Sequence, residues 1–409
     1  MNTDPLPEQP GTAELARLNR CAEELVRRCN DQLGYPFDQG VNLSGFYRWL
    51  ADTGLADVTL INVGDPWKTS WDMLDTDEFE RASLDFFADS FNFGGDHWGV
   101  LTNGGTDGNM HGIYFGRKFL ASKSPLPPLL YVSEEAHYSV KKMADVQNLE
   151  PRLIPADAAG RMRVDKFAEM LDPNRPALIA VAVGGTFKGA IDDQDAIAQV
   201  LEEKKPVACY RHLDAALFGG YLAYLDDPAA RRVVDAAAMK YDSIALSGHK
   251  FVGLNEPVGI FICRKNVMKA LSDAPIAYLN CNMPTLSCSR SGFDALKLYW
   301  KIAVTGREGF RRQAKHVLEM TALLREELTR RGVPTMVNRW SNTVCFPRPS
   351  EPVIHKYAIS CNDYPGLGSL AHVVVMQFFT PELAVRLADE IAASAPFYNE
   401  KHLRAVQTD

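Results

Sequence analysis

Lys250 is the residue of this sequence best placed to form a covalent bond with a small molecule. It ends the segment Ser247-Gly248-His249-Lys250, which follows the strand-like run SIALS, and it precedes the apolar residues Phe251 and Val252. A lysine packed against apolar residues has a lowered pKa and can form a Schiff base with an aldehyde. Most lysines are simply solvated. The hydroxyl of Ser247 and the imidazole of His249 strengthen the functional interpretation, because both groups suit a phosphate.

A carboxylate ends a second strand-like run, in His212-Leu213-Asp214-Ala215-Ala216. In parallel sheets, ligands bind beyond the carboxyl ends of the strands. If Asp214 meets the pyridine nitrogen of pyridoxal phosphate (PLP), it keeps that nitrogen protonated, so that the ring can accept electrons from a carbanion. The small side chain of Ala216 would leave room for the flat ring. An aspartate that caps the following helix is the alternative interpretation.

A glycine-rich turn, TNGGTDGNMHGIYFGRK, follows a third strand-like run and opens a helix. Gly104, Gly105 and Thr106 would present backbone N–H groups and a hydroxyl at a helix N-terminus, which is a phosphate site. An ordinary strand-to-helix turn is the alternative. Asp107 would repel a phosphate unless it points away and complements the helix dipole. The fingerprints of dinucleotide-binding folds and of Walker loops are both absent from this turn.

His137 follows the run LLYVS, within SEEAHYSVKKMA. An imidazole at this place could stack on a cofactor ring. A surface or helix-capping histidine is the commoner fate of a single histidine and is the alternative interpretation.

The elements that must position these residues alternate along the chain from residue 98 onward. The short apolar runs VLT, LLYVS, ALIAVAV, VACYRHLD, SIALS and VGIFIC are separated mostly by helix-like segments such as DAIAQVLEE. This alternation predicts a mostly parallel sheet with both faces covered. No helix-like segment separates the last two runs, around SGHK, so one strand there is expected to be antiparallel.

The ends of the chain follow other patterns. Apolar residues at helical spacing predict an N-terminal helix over residues 11–33. Past residue 292, FDALKLYWKIAV and REGFRRQAKHVLEMTALLREELTRRG predict two long helices, and NTVCFPRP and HVVVMQFF predict strands before a last helix, PELAVRLADEIAAS. We therefore predict an N-terminal segment (residues 1–70), a large domain (residues 71–292) and a small α/β domain (residues 293–409).

Composition excludes several classes of protein. The 409 residues are 46% hydrophobic and 23% charged, as in ordinary globular proteins, and the net charge of -7 argues against nucleic acid as the main partner. No apolar run approaches the roughly 20 residues of a membrane helix, and the first ten residues do not resemble a signal peptide. The 8 cysteines are scattered without a C-x-x-C pair. Reduced thiols and a cytoplasmic location are expected.

The order of these motifs along the chain indicates a known family. The chain resembles the group II PLP-dependent amino-acid decarboxylases, particularly the bacterial histidine decarboxylase and plant serine decarboxylase branch. The likeness rests on LGYP, NVGDPW, TNGGTDGNM, AHYSVKK, GTFKGAIDD, HLDAAL, SGHKFVG, SRSGFDALKLYW, TVCFPRPSE and AHVVVM, which span nearly the whole chain.

The resemblance implies an α/β fold of the aspartate-aminotransferase type (fold type I). This fold has a large domain with a mostly parallel seven-stranded sheet and a small C-terminal α/β domain. The resemblance also implies PLP as cofactor, no metal, and roles for particular residues: Lys250 as the Schiff-base lysine, Asp214 as partner of the pyridine nitrogen, Ala216 under the ring, His137 stacked on it, Gly105, Thr106, Ser247 and His249 at the phosphate, and Thr186 near the phenolic oxygen.

Two further expectations concern the reaction and the assembly. Tyr278 is our candidate for returning a proton to Cα of the substrate, although a buried aromatic residue without a chemical role is the alternative. We expect a homodimer with active sites at the subunit interface, because enzymes of this fold share pocket walls between chains. The loop Asn280–Arg290 is a candidate for reaching into the partner.

Departures from the family pattern concern the substrate more than the reaction. The chain has Ala182-Val183-Gly184-Gly185-Thr186 where the family usually has Asn-x-Gly-Thr-Thr, and Phe293 stands where close relatives place a histidine. Phe293, Phe378 and Phe379 would give a more apolar substrate wall, unless they belong to the core of the small domain.

We therefore predict decarboxylation of an L-amino acid, with histidine as leading substrate and serine second. The alternatives are decarboxylation of another amino acid, another PLP reaction such as that of an aldehyde lyase or an aminotransferase, and a cofactor-free binding protein that retains the fold.

Overall fold

The structure of the chain, a computed structural model, describes residues 9–68, 74–271 and 283–394. The helices of these residues are α1 (Thr12–Arg28), α2 (Ser44–Asp52), α3 (Asp77–Ser90), α4 (Gly104–Ala121), α5 (Tyr138–Val146), α6 (Val164–Met170), α7 (Gln194–Lys204), α8 (Pro228–Val233), α9 (Ala236–Met239), α10 (Lys265–Ala270), α11 (Gly292–Arg330), α12 (Glu351–Tyr357) and α13 (Pro381–Ala392). The strands are β1 (Ile61–Val63), β2 (Trp98–Thr102), β3 (Leu129–Ser133), β4 (Glu150–Ile154), β5 (Ala177–Ala182), β6 (Cys209–Asp214), β7 (Ser243–Ser247), β8 (Gly259–Cys263), β9 (Ser289–Ser291), β10 (Thr343–Pro347), β11 (Ser360–Tyr364) and β12 (Gly368–Val374).

A seven-stranded sheet forms the centre of the large domain, in the order β2-β8-β7-β6-β5-β3-β4. β8 runs antiparallel to both β7 and β2, and the other pairs are parallel. All residues of β2, β3, β7 and β8 are buried, as their nearly continuous apolar sequences predict for a sheet covered on both faces. The mostly parallel sheet and the antiparallel strand near SGHK are thus confirmed.

β4 is a strand that the sequence pattern did not reveal. It lies at the edge of the sheet beside β3, and only Ile154 among its residues is fully buried. Its sequence, EPRLI, is polar and contains a proline. An edge strand tolerates both because one side of it makes no ladder hydrogen bonds.

The C-terminal part of the chain has a second sheet and a second core. The sheet has the order β10-β12-β11 and is antiparallel, and α11, α12 and α13 accompany it. The two long helices predicted here are the two parts of α11, which are separated by a kink at Gly306, whose backbone is not helical (φ 59°, ψ 173°). β11 was not predicted, because its sequence SCNDY is mostly polar.

The N-terminal part crosses between the two sheets. The backbone N–H of Leu33 donates to the carbonyl of Tyr357 (3.0 Å), and the carbonyl of Leu33 accepts from Val374 (2.9 Å). These bonds hold Leu33 against the small domain, and the residues that follow it, 34–37, extend towards the edge of the large sheet. The division into residues 1–70, 71–292 and 293–409 stays a prediction. Within the described residues, no helix combines the length and the apolar character that crossing a bilayer requires.

The close packing of α4 on β6 depends on glycine. A Cβ atom at Gly112 would lie 2.3 Å from the ring of His212, and one at Gly116 would lie 2.7 Å from the ring of Tyr210. Neither distance is sterically allowed, so any side chain at these positions would push the helix away from the sheet. This packing brings the start of α4 to the ends of the strands.

Candidate active site

A cavity of about 580 Å³ opens at the edge of the large sheet, beyond the carboxyl ends of its parallel strands. Its walls include Asn103, which follows β2, and Ala182, Asp214 and Ser247, the last residues of β5, β6 and β7. The reversed strand β8 starts at the same edge, so the turn that carries Lys250 is anchored there at both ends. This is where ligands bind in sheets of this kind.

The cofactor-binding residues predicted from the sequence all line this one cavity. They are Gly105, Thr106, His137, Thr186, Asp214, Ala216, Ser247, His249 and Lys250. Tyr278 lies outside the described residues, as does the start of the loop Asn280–Arg290. The side chain of Arg290 is held within its own chain, with Nη2 3.1 Å from Oε2 of the buried Glu80.

The start of α4 and the end of β7 form one corner of the cavity. A Cβ atom at Gly105 would lie 2.6 Å from Oγ of Ser247 and 3.1 Å from Cβ of Ala216, so only glycine permits this approach. The first backbone N–H groups of α4 have no partner within the helix and carry its positive dipole end. Together with the hydroxyls of Thr106 and Ser247, they offer several donors to an anion.

His249 adds an unsatisfied donor or acceptor to this corner. Its ring packs beside Gly104, and its buried Nδ1 has no hydrogen-bond partner among the described residues. Burial, and secondly the charge of Lys250, lower the pKa of His249 to about 4. A buried polar atom without a partner costs about 1–3 kcal/mol, which a bound phosphate group would remove by supplying acceptor oxygens.

Asp107 does not point into the cavity, so its carboxylate does not repel a phosphate bound there. Its Oδ2 accepts a hydrogen bond from the backbone N–H of Asn103 (2.9 Å), and its Oδ1 lies 3.1 Å from Nδ1 of His111. The carboxylate therefore complements the first turn of its own helix.

The carboxylate of Asp214 is held from two directions. Oδ2 accepts a hydrogen bond from Nδ2 of Asn109 (2.9 Å), and Oδ1 accepts from the backbone N–H of Ala216 (3.3 Å). Its orientation at the cavity wall is thus fixed by the chain itself.

His137 is both a helix-capping histidine and a residue of the cavity wall, so its two interpretations do not exclude each other. Its Nδ1 accepts from the backbone N–H of Ser139 (3.3 Å) at the start of α5 and lies 2.7 Å from Oγ of Ser139. A backbone N–H can only donate, so Nδ1 carries no proton and the ring's hydrogen is on Nε2. Burial lowers the pKa of His137, which favours the same neutral form.

Lys250 lies in the tight turn after β7. Its backbone N–H donates to Ser247 (3.3 Å), and its carbonyl accepts from Gly253 (3.0 Å). Burial lowers the pKa of the Lys250 ammonium, and the negative charge of Asp214 opposes this effect in part. A lowered pKa makes the unprotonated amine, the nucleophilic form, easier to reach.

Sequence reasoning missed several residues of the site. Asn109 lies four residues beyond Gly105, on the same face of α4, and this spacing was the available signal. Of the other wall residues that were missed, Tyr138 and Phe187 are the chain neighbours of His137 and Thr186, and the remainder come from distant parts of the chain without a local pattern to indicate them. Together, these missed wall residues are Gly34, Tyr35, Pro36, Phe37, Tyr138, Phe187, Ser360, His372 and Val374.

Three phenylalanines expected at the substrate wall lie elsewhere. Phe293 packs against the small cluster of Leu43, Phe46 and Leu60, and Phe379 is 1% exposed in the core of the small domain. Phe378 packs between the two main cores. None of the three is among the residues that line the described part of the cavity. The aromatic wall comes instead from Tyr35, Phe37, Tyr138 and Phe187, together with the imidazole of His372.

The residues that line the cavity fit pyridoxal phosphate. Donors and an unsatisfied buried imidazole lie at one corner, a fixed carboxylate lies at the end of β6, and a lysine with a lowered pKa lines the same cavity. These groups match the phosphate, the ring nitrogen and the aldehyde of this cofactor in charge and chemistry.

The chain is similar to known proteins in both sequence and fold. The model of the pyridoxal-dependent decarboxylase conserved domain matches residues 117–347. The chain is 33% identical to serine decarboxylase 1 of Oryza sativa subsp. japonica, over 91% of this chain and 75% of that protein. It is 32% identical to the histidine decarboxylase of Solanum lycopersicum, over 89% and 85% of the two chains. The solved structure of L-methionine decarboxylase from Streptomyces sp. 590 superposes with a TM-score of 0.81 at 22% identity, covering 96% and 98%. The fold predicted from the sequence, fold type I, is confirmed.

Proposed function

The chain belongs to the family of pyridoxal-dependent amino-acid decarboxylases, and on that premise we propose that its substrate is L-histidine. The enzyme uses PLP to convert an L-amino acid to an amine and carbon dioxide. The observation that supports histidine is the set of aromatic side chains that line the same cavity as Lys250 and Asp214.

This aromatic wall favours a flat side chain over a small hydroxyl. Tyr35 and Phe37 stack on each other, with ring centroids 5.9 Å apart, and the ring of Phe187 lies 4.4 Å from the imidazole of His372. An imidazole can pack against such faces. The hydroxyl of serine, if buried without a partner, costs about 1–3 kcal/mol. The relatives named histidine decarboxylase support the same choice.

The cofactor would be held covalently and at its phosphate by residues from two segments of the chain, the start of α4 and the end of β7 with the turn after it. Lys250 would bind it covalently, and Gly105, Thr106, Ser247 and His249 would bind its phosphate. When bound, PLP supplies an aldehyde that reacts with amino groups and a ring that accepts the electrons released as carbon dioxide leaves.

Other side chains would act on the ring and on the substrate. Asp214 would hold a proton on the pyridine nitrogen through an ion pair, and Ala216 would leave space for the ring. His137 would stack on the ring as a neutral imidazole, and Thr186 would lie near the phenolic oxygen. Tyr278, outside the described residues, is the proposed donor of the proton that returns to Cα.

We also propose a homodimer. No residue of α1 is buried in the single chain, and Leu18, Leu25 and Val26 of this helix are 57%, 66% and 72% exposed. An amphipathic helix of this kind normally covers apolar surface, and a two-fold symmetric partner is the commonest source of such surface.

We further propose that the protein is cytoplasmic. Its only partners would be the second subunit and the small-molecule substrate. The seven cysteines within the described residues are all free, which suits a reducing compartment. The net charge of -7 is unfavourable for nucleic acid.

The proposed substrate is tested by measuring kcat/KM for L-histidine, L-serine, L-phenylalanine and L-leucine on the PLP-loaded enzyme, with the amine products identified by mass spectrometry. Histidine should give the highest value. Serine as the best of the four would overturn the choice of histidine and leave the decarboxylase activity intact.

A further inference from the structure

A buried asparagine joins the two side chains that would contact the cofactor ring. Asn109, which is 1% exposed, places its Nδ2 2.9 Å from Oδ2 of Asp214 and 3.4 Å from Oγ of Ser139. Its Oδ1 lies 3.0 Å from Nε2 of His212. Both hydrogens of the amide and its oxygen are therefore engaged.

The direction of these hydrogen bonds follows from the carboxylate. Because the oxygens of Asp214 accept, the NH₂ group of Asn109 faces Asp214 and its oxygen faces His212. Nε2 of His212 then donates. Complete burial lowers the pKa of His212 to about 4 and keeps the ring neutral, so its Nδ1 accepts from the hydroxyl of Ser243, 2.8 Å away. The chain of donors runs from Ser243 through His212 and Asn109 to Asp214.

A second branch of the same network ends at His137. Oγ of Ser139 accepts from Asn109 and donates to the unprotonated Nδ1 of His137, 2.7 Å away. The orientation of one amide thus fixes the carboxylate of Asp214 and directs the hydroxyl of Ser139 towards Nδ1 of His137, which the backbone N–H of Ser139 already keeps unprotonated.

The space for this network is provided by the packing of α4 on β6. The ring of His212 occupies the place that a side chain at Gly112 would need. His212 and Ser243 are both 0% exposed, so water cannot replace either partner without a change in packing.

We propose that Asn109 is a positioning residue for the decarboxylation, and that His212 and Ser243 fix the orientation of its amide. Asn109 touches neither substrate nor cofactor in this role and acts through Asp214 and His137. The inference rests on the proposed roles of those two residues.

The test compares Asn109→Ala, Ser243→Ala and Asp214→Asn in the PLP-loaded enzyme. Three quantities are measured: the Kd of PLP, the pH midpoint of the absorption of the bound cofactor, and kcat and KM for the best substrate. Asn109→Ala should lower kcat about 10- to 100-fold, as expected for one hydrogen bond to a charged group, with KM changed less than about 3-fold. It should move the pH midpoint in the same direction as Asp214→Asn does.

Ser243→Ala should give a smaller shift in the same direction and no further effect in the Asn109→Ala background, because the connection it supports is already broken. Asn342→Ala is the matched control. Asn342 is equally buried and donates to the carbonyl of Val375 (2.8 Å) in the small domain. This control should lower Tm without moving the pH midpoint.

A folded Asn109→Ala enzyme with wild-type kcat and pH midpoint, beside an impaired Asp214→Asn enzyme, overturns this inference alone. An Asp214→Asn enzyme with wild-type properties overturns the proposed role of Asp214 and this inference with it. If Asn109→Ala does not fold, Ser243→Ala decides, and an unchanged pH midpoint in that variant overturns the inference.

Discussion

The ammonium nitrogen of Lys188 lies 3.7 Å from the centre of the Tyr364 ring and 2.8 Å from Oε1 of Glu135. The hydroxyl of Tyr364 also donates to Oε2 of Glu135 (3.2 Å). Tyr364 belongs to β11 of the small sheet, whereas Glu135 lies two residues before His137 in the large domain. The small domain is therefore attached directly to the loop that carries the proposed stacking histidine.

Lys188→Met should lower the free energy of unfolding by about 3–5 kcal/mol, because it leaves the carboxylate of Glu135 without its cationic partner in a poorly hydrated place. The side chains of Lys188 and Glu135 are only 3% and 17% exposed. Urea denaturation measures the loss. Arg232→Met is the matched control, because it breaks an ion pair with Asp195 in which the side chains are 48% and 66% exposed, and should cost no more than about 1 kcal/mol. Equal losses in both variants would contradict the expectation.

Lys250→Ala should abolish turnover and the covalent bond between PLP and the protein. Lys250 lines the cavity, and the lowered pKa of its amine favours the nucleophilic form. The measurement is borohydride reduction followed by mass spectrometry of the protein. Lys204→Ala, at an exposed position in α7, should behave as the wild type does. A reducible PLP–protein bond that persists in Lys250→Ala would refute the assignment.

The free energy of unfolding should fall as the pH is lowered from 7 to 4.5, in part because of His212. Its pKa is about 4 in the folded protein against 6.5 without burial, so between these values the unfolded chain binds the additional proton. The loss from this residue is about 2–3 kcal/mol at pH 4.5.

His212→Gln retains a donor towards Asn109 and does not titrate. The difference between the variant and the wild type in urea denaturation should therefore shrink by that amount between pH 7 and pH 4.5. A difference that does not depend on pH would show that His212 is not the group that titrates.

Phe37→Ala should lower the ratio of kcat/KM for histidine to that for serine about 5-fold, because it removes part of the aromatic wall from a half-exposed position. Phe293→His should leave that ratio within about 2-fold, since Phe293 packs against Leu43 and Phe46 outside the cavity. A larger effect of Phe293→His than of Phe37→Ala would restore the assignment of Phe293 to the substrate wall.

Leu25→Glu should shift the proposed dimer towards monomers on dilution. A charge in the middle of the exposed apolar face of α1 would have to be buried at the interface. Sedimentation at a series of protein concentrations measures the shift. Arg20→Glu, a charge change on the same helix, is the control, and dissociation equal to that of Leu25→Glu would show that the apolar face is not the cause.

Site residues at or just after the ends of strands could be predicted from the sequence. Site residues that reach the cavity only through the packing of a helix on the sheet could not. Lys250 and Asp214 were found because Asp214 ends β6 and Lys250 lies in the turn directly after β7, and the carboxyl ends of parallel strands converge at one edge. Asn109 was missed because its role depends on the distance between α4 and β6, which the glycines at 112 and 116 set in three dimensions. β4 and β11 were missed because edge strands do not need the apolar pattern that reveals central ones.

Phe293 packs against a hydrophobic core cluster, which the sequence offered as the alternative to the substrate wall, and the cause is related. Its neighbour Gly292 opens α11 beside Leu60, and the helix directs the following residues towards α2 and α3. A residue next to a family motif in the sequence therefore need not reach the cavity. The N-terminal segment reaches it because Leu33 is hydrogen-bonded to Tyr357 and Val374.

Because β8 runs back alongside β7, the turn that carries Lys250 is closed by local contacts, with Ser247 paired to Gly259. The phosphate corner needs a more distant contact, since Thr102 of β2 must pair with that same Gly259 before Gly104 and Gly105 reach the site. Closing the longer loop costs more chain entropy. In pulsed hydrogen exchange during refolding, we expect protection of the β7–β8 amides before those of β2. The turn that carries Lys250 would thus form first, and the complete cofactor site would form only late in folding.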